Sequence, residues 1–207
     1  MTPVEAITVN NARQYVEHLP AIKAAARRLT GDERSAATQV AASCDCVIDV
    51  EAAFDSVADA GSPDEQIGSA GRVDVVAVND DGVLVLTEVK LYVNPEIRSK
   101  TEPAVCAQLI EYYEWARDHA DEIRTAYAHV LPYRKDLNLT SATARNVTGL
   151  DVVPRLLIIG FDSAHLSALD DIEKNIVEGL RGRIPGFGKA HIRRVGSPSN
   201  VRKHHLL

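Results

Sequence analysis

The feature that most constrains the fold is a pair of Val/Leu-rich runs, Arg72–Val78 and Val83–Leu91, bracketing Asn79-Asp80-Asp81-Gly82. Turn residues between two β-branched runs specify a hairpin. Both runs are apolar at successive positions rather than alternate ones. Both faces of the hairpin must therefore be covered, which places it centrally in a sheet with layers on either side. A three-residue loop Asp80-Asp81-Gly82, with Gly82 in the left-handed conformation, is a favoured connection. It pairs Asn79 with Val83. Counting back pair by pair brings Asp74 opposite Glu88, with Lys90 two residues further on the same face.

The rest of the chain supplies the layers. Asn11–Leu29 reads as a helix interrupted near Pro20, and Asp32–Cys44 as a second helix. Cys46–Val57 reads as a first strand and Ala58–Ala70 as a loop of Gly, Ser, Pro and Asp. Thr101-Glu102-Pro103 opens a long helix running to about His129, with Pro103 where a first-turn proline is tolerated. A short buried strand at Arg155–Phe161, a helix at Ala168–Leu180 and a strand at Ala190–Val195 follow. A strand–helix–strand unit takes a right-handed crossover, setting Arg155–Phe161 parallel to Val83–Leu91. The expected fold class is α/β, a mixed sheet flanked by helices in the order αβββαβ. The expected organisation is a helical extension at 1–31, one domain at 32–196 and a basic tail at 197–207. Leu131–Pro154 is too long for a structureless connection and calls for a further helix or a mobile segment.

Asp74, Glu88 and Lys90 are the candidate chemistry. With 29 acidic residues and seven lysines, an acidic-x-Lys tripeptide arises about once by chance, so only its context gives it weight. Two carboxylates opposed in a central strand pair repel each other and are costly to bury. A divalent cation between them turns that liability into a site, and carboxylates with water suit Mg²⁺ or Mn²⁺. The Val89 carbonyl offers one more oxygen. Such a cation polarises a phosphodiester, and an adjacent lysine orients water and offsets developing charge. The competing reading is a plain ion pair of Lys90 with Glu88 or Asp74.

On the following helix, Gln108, Tyr112, Trp115 and His119 share one stripe beside Val105, Leu109, Ala116 and Ala120. A glutamine among apolar neighbours needs polar partners, and a site carboxylate or a phosphate would serve. An ordinary amphipathic helix with a partly exposed Tyr and Trp is the competing reading.

Taken in order, Gly-Arg-Val-Asp (71–74), the hairpin, Glu-Val-Lys (88–90) and Gln108-Leu-Ile-Glu-Tyr112 resemble the core of the PD-(D/E)XK, or restriction-endonuclease-like, nucleases. The Gln-x-x-x-Tyr spacing is similar to that of RecB-like members, and the Gly-Arg-x-Asp opening to that of NucS-type endonucleases. The resemblance is close over residues 71–116 and extends by element order to about 32–195. It implies a restriction-endonuclease-like sheet, Asp74 and Glu88 as metal ligands, and Lys90 as the catalytic lysine. It also implies that Gln108 and Tyr112 contact the site or the nucleic-acid backbone. The substrate would be nucleic acid, DNA foremost, and the cofactor Mg²⁺ or Mn²⁺. The family usually has a further acidic ligand. Glu33 and Glu51 are the candidates, with Glu51 favoured because a strand paired beside Arg72–Val78 would aim it at Asp74. The alternative function is the same fold, catalytically weak or inactive, acting as a nucleic-acid or protein-binding module.

Charge and cysteine content bound the partners. The chain carries −6 overall, and seven cations without an acid between Arg181 and Leu207 leave −13 on the rest. Such a tail could follow a phosphate backbone or simply be solvated. No run approaches the roughly 20 apolar residues that span a membrane, and Met1–Asn11 is not a signal peptide. Three cysteines suit a reducing cytoplasm and fall short of the four an iron–sulfur cluster needs. Pro185–Lys189 reads as a turn, His204-His205 as part of a frayed end. A homodimer is compatible with all this, though no stretch marks its interface.

Overall fold

The central hairpin forms with the register its turn dictates. The computed structural model describes residues 32–55, 69–137, 140 and 142–207. The expected helix Asn11–Leu29, the extension 1–31 and most of the loop 58–70 lie outside them. Helix α1 (Asp32–Ser43) leads into strands β1 (Val47–Asp55), β2 (Ser69–Val78) and β3 (Val83–Leu91). At the turn, Asn79 N–H donates to the Val83 carbonyl at 3.0 Å, and Gly82 N–H to the Asn79 carbonyl at 3.1 Å. Gly82 has φ +85, and a Cβ there would lie 2.3 Å from the Asn146 carbonyl oxygen, so only glycine fits. Val78–Leu84, Ala77–Val85, Val76–Leu86 and Val75–Thr87 follow as antiparallel pairs.

Around this hairpin the sheet runs β1-β2-β3-β4-β5. Strand β4 (Gly149–Ile159) lies parallel to β3, as a long crossover connection requires, and β5 (Ile192–Val195) parallel to β4. Helices α2 (Val105–Asp118) and α3 (Ala120–Asp136) link β3 to β4, and α4 (Leu166–Leu180) links β4 to β5. On one face Leu84 and Leu86 pack with Tyr112, Ala116, Ile123, Tyr127 and Leu131. Leu156 and Ile158 extend that side onto Val105, Leu109, Ile172 and Ile176. On the other face Val75, Ala77, Val89, Leu157 and Ile159 meet Ala36, Ala37 and Val40 of α1. Each fully buried Leu, Ile or Val contributes about 1.5–3 kcal/mol. The protein is thus α/β, with a five-stranded mixed sheet covered by helices. Among the described residues no helix is long and apolar enough to cross a membrane.

Four sequence expectations are corrected. The long helix is two helices, divided at His119 (φ −118, ψ 21), and the second runs on to Asp136. At the division the His119 ring stacks on Trp115 with centroids 5.1 Å apart, and its Nδ1 lies 3.0 Å from Glu122 Oε2. Strand β4 begins at Gly149 rather than Arg155, so the segment 131–154 holds the end of a helix and the start of a strand. Pro154 hid that start. The ladder passes from Val85–Asp151 to Thr87–Arg155, leaving Val152, Val153 and Pro154 against Leu86. A bulge is where a residue without an N–H donor is tolerated inside a sheet. Strand β2 starts at Ser69, ahead of Arg72.

The C-terminus is the fourth correction. It is not frayed: helix α5 (Lys203–Leu206) and the preceding turn bury Val201 and Leu206 completely in the α1-side core. Four of its seven cations are also paired with acids within the molecule. Arg183 pairs with Glu102, Lys189 with Glu173, Arg194 with Asp170 and Glu173, and Lys203 with Asp80. Cys44, Cys46 and Cys106 are free, buried thiols, and Pro185–Lys189 is a turn with Gly186 at φ +83.

Candidate functional site

Three acidic residues fall in one row across three adjacent strands. The pairs Val50–Val75 and Ala52–Val73 flank Glu51 and Asp74, setting them opposite each other on β1 and β2. The pair Val75–Thr87 makes Glu88 next in line on β3. Beyond Val75–Thr87 the backbone ladder between β2 and β3 ends. There the Asp74 carboxylate takes over, its Oδ2 accepting the Val89 N–H at 2.8 Å. A side chain thus replaces a backbone rung beside Glu88. Val89 touches the site carboxylate through its N–H.

Lys90, only 5% exposed, gathers the acids. Its Nζ lies 2.9 Å from Glu88 Oε1, 2.6 Å from Glu96 Oε2 and 3.9 Å from Glu33 Oε2. Tyr112, buried on α2, brings its hydroxyl to Glu88 Oε2 at 2.9 Å and also to the Arg72 carbonyl. Glu88 therefore has one oxygen on the lysine and the other on the tyrosine. Burial, then the Glu88 charge, push the Asp74 carboxyl up to about 7, against the pull of the Val89 N–H and Lys90. Burial raises Glu88 as well, opposed by Lys90 and Tyr112. For Lys90 burial acts to lower the pKa, but Glu88, Glu96 and Glu33 outweigh it and the ammonium is held protonated. Burial and the Glu88 charge push the Tyr112 hydroxyl up, so it stays a donor.

The remaining sequence candidates divide. Glu51 is opposite Asp74 and its charge reaches it, but its carboxylate turns to Arg34, with Nε–Oε1 3.1 Å and Nη2–Oε2 3.2 Å, and lies 4.0 Å from Arg72. Among the described residues it is the one non-glycine with positive φ, +53. That left-handed conformation costs a glutamate on the order of 1 kcal/mol. Glu33, the other candidate, reaches the site from α1. Its Oε1 accepts from Leu91 N–H at 3.2 Å and from the Asn94 side chain, while Oε2 faces Lys90. Gln108 lies one turn before Tyr112 on α2, half-buried, with its Oε1 buried and without a hydrogen-bond partner.

Sequence reasoning missed Glu96 and Arg34. Glu96 had a signal: Asn94-Pro95-Glu96 is a turn-initiating sequence just past β3, and Asn94 Oδ1 accepts the Glu96 N–H at 2.8 Å. Arg34 had none, because its role depends on how α1 docks against β1.

As a donor set, half-buried Asp74 and buried Glu88 are crowded carboxylates whose raised pKa values record the need for a countercharge. Two carboxylates with water completing the shell is how Mg²⁺ is ordinarily held. Among the described residues no three or more His, Cys, Asp or Glu side chains are grouped so as to hold a metal ion. Glu51 would have to leave Arg34 to become a third ligand. No family model, no curated protein and no solved structure matches the chain.

Proposed function

We propose that the chain is a metal-dependent nuclease of the PD-(D/E)XK type, hydrolysing phosphodiester bonds in nucleic acid, DNA foremost, with Mg²⁺ or Mn²⁺. The observation that carries this reading is the neighbouring carboxylates of half-buried Asp74 and fully buried Glu88, with Asp74 lifted to about 7 beside a protonated Lys90. The strand order and the Gly71–Asp74, Glu88–Lys90 and Gln108–Tyr112 motifs support the finer, restriction-endonuclease-like assignment of the sheet.

In this reading Asp74 and Glu88 hold the cation, with Glu51 and the Val89 carbonyl as further donors. When bound, the cation supplies Lewis acidity and a water of lowered pKa. Tyr112 keeps one Glu88 oxygen in place by donating its hydroxyl proton. Lys90 keeps its proton on Nζ and offsets charge developing on the phosphoryl oxygens. Gln108, with its unpartnered oxygen, orders water or substrate along α2. Arg34 and Arg72, both substantially exposed, meet the phosphate backbone at the Glu51 end of the row.

One observation favours the binding-module alternative: Lys90 is already neutralised by short pairs with Glu88 and Glu96, as in a purely structural network. Incubation with plasmid and single-stranded DNA, with Mg²⁺, Mn²⁺ or EDTA, separates the two. The nuclease reading expects cation-dependent cleavage that Lys90→Ala abolishes. Titration calorimetry should then show Mn²⁺ binding retained in Lys90→Ala and weakened in Asp74→Asn and Glu88→Gln. No turnover with either cation, and no Mn²⁺ heat, would leave the binding module.

A further inference from the structure

Glu96 sits on a single 3₁₀ turn, Pro95–Ile97, that follows β3. The turn is fixed at both ends. Asn94 caps it by accepting the Glu96 N–H at 2.8 Å, and Ile97 is fully buried behind it. Asn94 in turn donates its side-chain N–H to Glu33 Oε1, and the Arg98 guanidinium lies 4.5 Å above the Tyr92 ring. Glu96 is thus carried on an anchored arm and is not a freely rotating surface acid. Its side chain is 41% exposed, yet Oε2 is buried and lies 2.6 Å from Lys90 Nζ as an ion pair.

We infer that Glu96 is the positioning residue of Lys90, the anion that keeps the ammonium aimed into the site when Glu88 is engaged elsewhere. The inference rests on the nuclease reading for its use, and on the geometry of the turn for its existence. Lys90 has two short carboxylate contacts, Glu88 and Glu96. In the proposed chemistry Glu88 directs its charge to a cation, and a buried ammonium left alone would be strongly disfavoured. Glu33 is no substitute: it stands 3.9 Å away, and its Oε1 is committed to Leu91 and Asn94. Glu96 approaches from the loop side and needs no bond to Glu88, so the two acids can be used separately.

Glu96→Gln keeps the length of the side chain and the capped backbone but removes the charge. Glu96→Asp keeps the charge on a shorter arm. Glu102→Gln, which removes an exposed partner of Arg183, is the control. The first readout is the ¹⁵Nζ ammonium cross-peak of Lys90 in the full-length chain without nucleic acid or metal. It should be visible in wild type and the control, shifted and broadened in Glu96→Gln, and partly restored in Glu96→Asp. The second is Mn²⁺-supported cleavage, where Glu96→Gln should lower kcat roughly tenfold with KM little changed. An unchanged Lys90 signal in Glu96→Gln overturns the inference, as does a shifted signal with unchanged kcat. Wild type that cleaves nothing with either cation refutes the nuclease reading instead, and the ammonium signal still decides whether Glu96 holds Lys90.

Discussion

Replacing Asp74 by Asn should stabilise the protein at alkaline pH, the reverse of what removing a useful ion pair does. Burial and the Glu88 charge lift this carboxyl from 3.8 to about 7 in the folded chain. Because the folded value exceeds the unfolded one, the native state holds the proton more tightly. The associated stability is full below the unfolded pKa, falls as pH rises through the window from 4 to 7, and is lost above it. A rise of three units, at ~1.4 kcal/mol each, makes the penalty for ionised Asp74 on the order of 4 kcal/mol at pH 8. Asparagine still offers an oxygen to the Val89 N–H, which Asp74 accepts at 2.8 Å, and brings no charge. Urea denaturation in EDTA should therefore find Asp74→Asn more stable than wild type at pH 8, by several kcal/mol, and equal to it at pH 4. Excess Mn²⁺ should close the gap at pH 8 by stabilising wild type alone, since a ligand that binds only the native state adds stability by mass action. A variant less stable than wild type at pH 8, or a difference that does not change with pH, would refute the reasoning.

Two further substitutions test how the scaffold holds the row. Gly82→Ala places a Cβ 2.3 Å from the Asn146 carbonyl at φ +85. It should cost at least ~1–3 kcal/mol by thermal denaturation and weaken Mn²⁺ binding too, because the turn sets the register of Asp74 against Glu88. Leu206→Ala should cost about 2–5 kcal/mol in urea, its side chain being fully buried.

The hairpin was legible because its information is local. Asp80-Asp81-Gly82 admits few backbone conformations, and the conformation fixes the register residue by residue. The parallel β3–β4 pairing was legible because the long helical connection between the two strands is the kind that parallel neighbours need. What escaped depends on distant packing. No local signal divides the helix at His119, and Pro154 looks like a stop unless the bulge against Leu86 is known. Val201 and Leu206 looked like apolar residues in a polar tail until α1 and β5 gave them a groove. At the site, the sequence put Glu51 opposite Asp74 but could not see that Arg34 takes its carboxylate. Nor could it weigh Glu33, brought to Lys90 by the docking of α1, or Glu96, brought there by the turn after β3.

Three acids side by side across three strands would repel one another in an unbroken sheet, and the sheet is broken where they lie. Glu51 adopts φ +53, the β2–β3 ladder stops at Val75–Thr87, and β4 bulges opposite Leu86, two residues before Glu88. Each acid then finds a different partner: Glu51 the Arg34 guanidinium, Asp74 the Val89 N–H, Glu88 the Lys90 ammonium and the Tyr112 hydroxyl. Here each of the three acids turns to a different donor, at the cost of local strain and a raised Asp74, and those donors are ones that a cation could displace. Strain that persists at a row of like charges is retained most readily where the row has a use. That is why the departures from regular geometry argue for a site more strongly than the presence of any one acidic residue does.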